Sequence, residues 1–218
     1  MTRRLIVRAA DRASALKGAI PVAAPGYSDT QAMRTALEGV KTFLLVSGRE
    51  SVDRVREHFS AIEAAIEAGA ERIVYLSMVS AAPDATFTLA REHFATEERI
   101  RESGLRFTFL RSSVYADVTP FSIGDDGMIR APAGTGRVAF VARDDVASVA
   151  TAVLLNADKY AMVKPMTTPV LRACRWPRPR RFSVVWSIAQ LCSTTRRLVK
   201  HGSPEVSTEP PTGWSRVG

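Results

Sequence analysis

Short apolar runs alternate with longer amphipathic stretches over residues 1–160. The clearest runs are residues 42–46, 72–77 and 106–111. Continuous apolar runs are typical of strands that are buried on both faces, as in a parallel sheet. Strands that alternate with helices and are joined by short links predict right-handed βαβ units. The expected fold class is therefore α/β, a parallel sheet with flanking helices.

Weaker signals complete the alternation. The other strand candidates are shorter or less regular, at residues 5–7, 19–23 and 138–141, and Pro21 weakens the second of them. The helical stretches begin at a capping residue (Asp29, Ser51, Asp144) or end at a glycine, and they are residues 29–39, 51–69, 88–104 and 144–155. The expected apolar stripe of the second helix is Val52, Val55, Phe59, Ile62 and Ile66. Because parallel sheets bind ligands at the carboxyl ends of their strands, we expect the site in the loops that follow them.

The charge of the chain is concentrated at one end. The formal net charge is +8, yet residues 1–160 hold 20 basic and 20 acidic residues, while residues 161–218 hold 10 basic and 2 acidic ones. The tail also holds seven of the twelve prolines. We predict a folded domain over residues 1–160 and a basic, Pro/Arg-rich, disordered tail over residues 161–218. A neutral domain and a tail without a folded motif argue against nucleic acid as the partner.

The sequence predicts neither a membrane segment nor a metal site. No apolar run approaches the roughly 20 residues of a membrane-spanning helix, and the start lacks the apolar core of a signal peptide. Cys174 and Cys192 have no metal-binding or disulfide spacing, which favours a reducing compartment. We expect a cytoplasmic protein, with its oligomeric state left open.

Residues 84–111 form the most specific stretch of the sequence, followed by residues 127–138 and 141–147. Together these motifs resemble the NmrA-like atypical short-chain dehydrogenases, and within them the NAD(P)H:quinone oxidoreductase type 2 branch. The resemblance covers about residues 3–160. It implies a Rossmann-like fold, a nicotinamide dinucleotide cofactor and hydride transfer to a small quinone-like substrate. A non-catalytic regulatory protein that senses NAD(P) is the alternative.

The resemblance also implies cofactor contacts after the first two strands. Arg8 and Arg12 resemble the group that pairs with the 2′-phosphate of NADPH, because a guanidinium suits that dianion, and a solvated basic loop is the alternative. This favours NADP(H), with NAD(H) left open. Gly26, Tyr27 and Ser28 resemble the segment near the adenine, although Gly26 stands where the family has an aspartate.

Two further strand ends are expected to flank the adenine ribose and the nicotinamide. By the resemblance, the cofactor contacts there are Val46, Ser47 and Gly48 at one end and Leu76, Ser77, Met78 and Val79 at the other.

Two side chains are candidates for the chemistry. His93 is a candidate catalytic proton donor to the reduced quinone, since histidine titrates near neutral pH, and a structural role is the alternative. Tyr115 is a candidate for lining the substrate pocket, with ordinary packing as the alternative. Tyr27, Tyr75 and Tyr115 are not followed by a lysine four residues later, so none of them forms the Tyr-x-x-x-Lys pair of the classical dehydrogenases.

A dinucleotide fingerprint is absent from the sequence. No Gly-x-Gly-x-x-Gly lies at a predicted strand-to-helix turn. The resemblance places residues 5–7 at strand 2 of a sheet of order 3-2-1-4-5-6, which implies that strand 1 and the glycine loop that holds the pyrophosphate are missing. We expect the neighbours of that strand to lack ladder partners, and NADPH binding and activity to be impaired.

The tail carries a second expected departure from the family. Read two bases out of frame, the codons of residues 162–167 are compatible with Gly-Lys-Thr-Tyr-Asp, with which the family commonly continues. A frameshift near residues 159–162 is one hypothesis for the tail, and a real basic, disordered extension is the other.

Overall fold

Parallel strands with helices packed against them form the larger of two compact units. The computed structural model describes residues 3–13, 18–125, 137–156, 160, 166–167 and 174–175. Residues 1–117 with 139–170 form one unit, and residues 118–138 with 171–218 form the other. Most of the predicted tail lies outside the described residues, so the boundary at residue 160 and the two hypotheses for the tail stay predictions.

The elements follow one another in the predicted alternation. The strands are β1 (Arg3–Val7), β2 (Ala19–Ala23), β3 (Thr42–Val46), β4 (Arg72–Met78), β5 (Arg106–Ser112), β6 (Arg137–Val138), β7 (Met166–Thr167) and β8 (Cys174–Arg175). The α-helices are α1 (Thr30–Leu37), α2 (Arg54–Glu67), α3 (Thr88–Glu102) and α4 (Arg143–Leu155), and 3-10 helices span Ala10–Arg12 and Ala116–Ser122.

The strands of the larger unit form two parallel sheets. One contains β1 and β2, and the other has the order β3-β4-β5-β7. In the second sheet, Leu45 lies opposite Tyr75, which lies opposite Phe109. In the other unit, β6 pairs with β8 in antiparallel fashion. The predicted α/β class, with parallel strands and flanking helices, is confirmed.

Each of the two parallel sheets has an edge strand, β1 or β3, with no second ladder partner among the described strands. In a sheet of order 3-2-1-4-5-6, the central strand would pair with both of them. Within the described residues, β1 pairs only with β2, and β3 pairs only with β4 and not with β1. In that order, β1 and β3 correspond to strands 2 and 4, the two neighbours of strand 1. The expected loss of ladder partners at these two edges is therefore what the described strands show.

The second sheet is covered by apolar side chains on both faces. On β4, Ile73 and Tyr75 belong to the larger buried cluster, which also contains Leu45 and Ile62. Val74 belongs to a second cluster with Leu110 and Val153. The alternation follows from the two-residue period of a strand, and the covering of both faces explains the apolar runs in the sequence.

The buried face of α2 differs from the predicted stripe. Val52 is fully exposed and precedes the helix, and Val55 and Phe59 are only half-buried. The buried positions are Arg54, His58, Ala61, Ile62, Ala64 and Ala65. The predicted stripe is confirmed at Ile62 and is wrong at Val52, because two polar residues, one turn apart, occupy core-facing positions that a pattern of apolar residues does not include.

Three local predictions need correction. The second helix begins at Arg54 and not at Ser51. The N-cap of α4 is Ala142, so Asp144 lies in the first turn, where a carboxylate interacts favourably with the helix dipole. Residues 138–141 do not form a continuous strand: Val138 ends β6, and Val141 makes an isolated parallel bridge with Tyr115.

The predicted cap of α1 is confirmed. The Asp29 carboxylate accepts a hydrogen bond from the Ala32 backbone N–H at 2.9 Å, and Gly39 follows the helix with a φ of +71°. A carboxylate at this position satisfies one of the free N–H groups of the first turn.

Replacement of Asp29 by alanine is expected to lower the free energy of unfolding by about 1 kcal/mol, because that N–H loses its acceptor. Urea unfolding of the variant measures the change. Asp29→Asn keeps the acceptor and serves as the control. Equal stability of the Ala and Asn variants would contradict the role of the cap.

Candidate functional site

The predicted cofactor residues lie in the loops at the carboxyl ends of the strands. The structure joins two of these loops directly, since the Tyr27 hydroxyl after β2 donates a hydrogen bond to the Val46 carbonyl at the end of β3, at 2.8 Å. Because this bond links one sheet to the other, the carboxyl ends of β2 and β3 lie at a common edge. Gly26 and Tyr27 are half-buried there, and Ser28 is exposed.

The basic residues predicted for the 2′-phosphate follow β1. Arg8 is exposed directly after the strand. Arg12 lies in the 3-10 helix Ala10–Arg12, and its side chain lies outside the described residues. A positive charge at the carboxyl end of β1 fits a phosphate on the ribose. In the described part of the chain, no glycine-rich turn leads from a strand into a helix N-terminus, so these residues supply no pyrophosphate site of that kind.

At the end of β3, Val46 is 47% exposed, while Ser47 and Gly48 are half-buried. The Gly48 backbone N–H donates to Nε2 of His58 at 2.8 Å, and its carbonyl accepts from Nε of Arg54 at 2.9 Å. Both side chains come from α2 and are buried. Sequence reasoning missed Arg54 and His58, and the available signal was their helical spacing with Ala61, Ile62 and Ala65, which places all five on one face of α2.

The end of β4 carries the second predicted group. Leu76, Met78 and Val79 are half-buried, whereas Ser77 is 2% exposed and its hydroxyl donates to Glu97 Oε1 at 2.7 Å. The side chain of Ser77 therefore points into the protein, and its neighbours are better placed to meet a ligand. Ser80, two residues beyond the strand, has a φ of +66°, a conformation that costs a non-glycine residue about 1 kcal/mol.

A buried carboxylate ties the ends of β4 and β5 to α3. Glu97 is fully buried and accepts two hydrogen bonds from Arg111, from Nε at 2.8 Å and from an Nη at 2.6 Å. Arg101, one turn along the helix, adds a third at 3.1 Å. The hydrogen bond that Arg111 donates to the Glu97 carboxylate holds the pKa of Arg111 above its ordinary value. Such a paired charge is stable while its partners remain, and costly when one is removed.

Replacement of Glu97 by alanine is expected to lower the free energy of unfolding by about 3–5 kcal/mol, because Ser77 and Arg111 lose the buried carboxylate that accepts their hydrogen bonds. The control is Glu98→Ala at the adjacent, half-exposed position, where we expect a loss of less than about 1 kcal/mol. Urea unfolding of the two variants measures the difference. Similar losses for both would contradict the structural role of Glu97.

The predicted proton donor, His93, lies inside the protein. It is 4% exposed, its Nε2 lies 2.9 Å from an Nη of Arg54, and its Nδ1 lies 2.8 Å from the Tyr75 hydroxyl. Burial, together with the charge of Arg54, lowers the pKa of His93 to about 3. Burial and the same cation lower the pKa of His58 to about 3. Both imidazoles are therefore neutral at pH 7, and neither is exposed at the sheet edge.

Acid is expected to weaken the fold through these two histidines. Because their pKa falls from 6.5 to about 3 on folding, the unfolded chain binds more protons than the folded chain between those values. The free energy of unfolding should then fall as the pH drops below 6.5, by about 1 kcal/mol per pH unit for each histidine. Urea unfolding across this range measures the slope. His93→Gln should reduce it, and an unchanged slope would contradict the prediction.

Tyr115 lies just after β5, half-buried. Its hydroxyl is 3.4 Å from the Ser112 hydroxyl, and the Arg143 guanidinium carbon lies 5.8 Å from its ring centroid. Its predicted role in lining a substrate pocket stays a prediction. Among the described residues, no group of three or more His, Cys, Asp or Glu side chains is arranged to hold a metal ion. No helix in the same part of the chain is both long and apolar enough to cross a membrane.

One Tyr-x-x-x-Lys spacing does occur in the sequence, from Tyr160 to Lys164. Tyr160 packs against the cluster of Val74 and Leu110, and its carbonyl accepts from the Thr108 hydroxyl at 2.6 Å. An Nη of Arg72, the first residue of β4, also contacts this carbonyl. The Tyr160 backbone therefore lies toward the amino end of the strand, away from the predicted cofactor loops.

These features agree with a comparison against known proteins. Residues 1–157 match the family described as NAD(P)H-binding, and the chain belongs to that family. It is 34% identical over 157 residues to quinone oxidoreductase 2 of Escherichia coli K12, a match covering 70% of this chain and 54% of that protein. It is 26% identical over 170 residues to NAD(P)H azoreductase of Xenophilus azovorans, covering 76% and 59%. The chain spans about half the length of these curated relatives.

Solved structures extend the comparison. The NADPH-dependent quinone oxidoreductase of Escherichia coli in complex with NADPH has a TM-score of 0.66 at 29% identity, covering 90% of this chain and 66% of that one. Triphenylmethane reductase of Citrobacter in complex with NADP(H) has a TM-score of 0.65 at 26% identity, covering 79% and 62%. The negative transcriptional regulator NmrA, at 18% identity and a TM-score of 0.61, shares the fold. The expected family resemblance and the nicotinamide dinucleotide cofactor class are confirmed.

Proposed function

We propose that the chain belongs to an NAD(P)H-dependent oxidoreductase that transfers hydride to a quinone-like electrophile. The observation that carries the proposal is the common edge formed where Tyr27 meets the end of β3, with Val46 exposed beside it. Parallel sheets of this class bind dinucleotides at such an edge. Relatives named for the reduction of quinones and azo compounds support the choice of reaction.

We propose the following cofactor contacts because of where these residues lie on this edge of the sheets. Arg8 and Arg12 face the ribose phosphate, the Gly26–Ser28 and Val46–Gly48 segments face the adenosine half, and residues 76–79 face the nicotinamide half. When bound, the cofactor supplies the hydride, and the residues of this chain orient it and keep water from the reacting face. NADP(H) is proposed over NAD(H) because of the arginines. A cytoplasmic location and a small-molecule substrate belong to the same proposal.

The role of His93 as proton donor stays a prediction. Its ring nitrogens contact Arg54 and Tyr75, so its proton has no direct path to a ligand at the sheet edge in this structure. Tyr75, also fully buried, has its pKa raised by burial and does not supply a proton more easily. Water is then the proposed source of the proton for a reduced quinone.

This burial favours a second candidate function, a non-catalytic regulator that senses NAD(P). A sensor needs the cofactor loops but no proton donor, and the regulator NmrA shares the fold. Oxidation of NADPH in the presence of quinones, followed by its absorbance, separates the two candidates. Turnover supports the oxidoreductase, and NADPH binding without turnover supports the sensor.

Arg8→Ala is expected to raise the dissociation constant for NADPH about tenfold and to leave that for NADH unchanged, because only NADPH carries the 2′-phosphate. Arg3→Ala removes an exposed arginine at the opposite end of β1 and is the control. Titration followed by NADPH and NADH fluorescence measures both constants.

An equal effect of Arg8→Ala on NADPH and NADH would contradict the assignment of the phosphate to Arg8.

A further inference from the structure

We propose that Arg54 and His58 are positioning residues that hold Gly48, and with it the loop of residues 46–48, in the conformation that meets the cofactor. The inference rests on the proposed function, because it assigns these residues to a cofactor loop. Neither side chain reaches the sheet edge, since Arg54 is 1% exposed and His58 is fully buried. They act through the backbone of Gly48.

The geometry is that of a clamp. Arg54 and His58 lie four residues apart on α2 and therefore on one face of the helix. The N–H of Gly48 donates to His58 at 2.8 Å, and its C=O accepts from Arg54 at 2.9 Å, so both polar groups of this residue are satisfied by one helix. A Cβ at position 48 would lie 3.4 Å from Nε2 of His58, which shows how closely the backbone approaches the ring.

The hydrogen bonds fix the protonation state of His58. A backbone N–H can only donate, so Nε2 of His58 accepts and the proton of the neutral ring resides on Nδ1. Nδ1–H then donates to the Thr96 hydroxyl at 3.0 Å, and that hydroxyl donates to the Glu92 carbonyl at 2.9 Å. The chain of donors runs in one direction, from the loop through α2 to α3, and each proton in it has one acceptor.

Arg54 is held with similar precision. One Nη pairs with Glu92 Oε2 at 3.0 Å, and the other donates to Nε2 of His93 at 2.9 Å. Because the guanidinium only donates, Nε2 of His93 is an acceptor and its proton resides on Nδ1, toward Tyr75. The side chains that contact the two histidines are thus one cation, two tyrosines and a threonine, namely Arg54, Tyr27, Tyr75 and Thr96. Their positions depend on the packing of α2 against α3.

The backbone of the loop is contacted by three side chains from other parts of the chain. Tyr27 bonds the Val46 carbonyl, and Arg54 and His58 bond the two polar groups of Gly48. Val46 also pairs with Leu76 in the sheet. The Val46 side chain remains exposed. Side chains from outside the loop thus hold its backbone at an edge where the class binds its cofactor, and a group held in this way loses less entropy on binding.

The test compares His58→Phe with His58→Gln, in the full chain. Phenylalanine removes the acceptor for Gly48, whereas the glutamine carbonyl can restore it. Thr108→Val is the matched control, since it removes a buried hydroxyl that contacts Arg72 and Tyr160 but not the loop. The readouts are the hydrogen exchange rate of the Gly48 amide by NMR and the dissociation constant for NADPH.

His58→Phe should speed exchange of the Gly48 amide about tenfold and raise the dissociation constant for NADPH about fivefold, the effects of losing one hydrogen bond. His58→Gln should recover both in part, and Thr108→Val should change neither. Unchanged exchange and affinity in a folded His58→Phe variant would overturn the proposal. If that variant does not fold, the ¹⁵N shifts of His58 in the unaltered chain decide, since a proton on Nε2 would overturn it.

The two proposals fail in different ways. An unaltered chain that shows no NADPH binding, at any concentration reached, counts against the proposed function. Exchange of the Gly48 amide then still decides whether His58 holds the loop. Normal NADPH binding with a Gly48 amide that does not respond to His58→Phe overturns the positioning role alone.

Discussion

The Arg54 guanidinium connects helices α2 and α3 to the loop that follows β3. It is buried between α2 and α3 and bonds the Gly48 carbonyl, the Glu92 carboxylate and the His93 ring. A buried cation is tolerated only when its donors are satisfied, so these three partners must keep their places together. The packing of α2 against α3 and the position of residues 46–48 therefore depend on the same contacts.

A second buried charge also connects a helix to the ends of neighbouring strands. Glu97 joins Ser77 of β4 and Arg111 of β5 to α3. The two networks leave α3 with polar residues on its inner face, where an ordinary amphipathic helix has apolar ones. The cost of burying them is offset by hydrogen bonds to the ends of the strands, next to the predicted cofactor loops. The buried polar residues of α3 thus lie next to the candidate site.

The edges of β1 and β3 limit how the two parallel sheets can be joined. Their backbone groups have no ladder partner among the described strands, so the two sheets are held together by side chains. The larger core cluster, which includes Leu45 of β3 and, packed against it, Ile6 of β1, serves this purpose. The bond from Tyr27 to Val46 is a direct polar contact between the loop after β2 and the end of β3. The geometry of the site therefore depends on side-chain contacts between the two sheets and their helices, such as the bond between Thr30 of α1 and Ser60 of α2.

Elements with strong local signals could be predicted from the sequence. The runs at residues 42–46, 72–77 and 106–111 form β3, β4 and β5 within a residue or two, because a strand buried on both faces must be apolar throughout. The cap at Asp29 was equally readable, since the backbone N–H that donates to its carboxylate lies three residues away. Predictions that rested on weaker patterns, the start of the second helix at Ser51 and the apolar stripe from Val52, were wrong.

By itself, the sequence determined the alternation of strands and helices, the class of sheet and the family, because each depends on residues close together in the chain or on ordered motifs. Only the tertiary structure decided which side chains meet. Arg54 and Glu92 are 38 residues apart, as are His58 and Thr96. Their pairing follows from the packing of α2 against α3, and a pattern of apolar residues does not record where a buried polar side chain finds its partner.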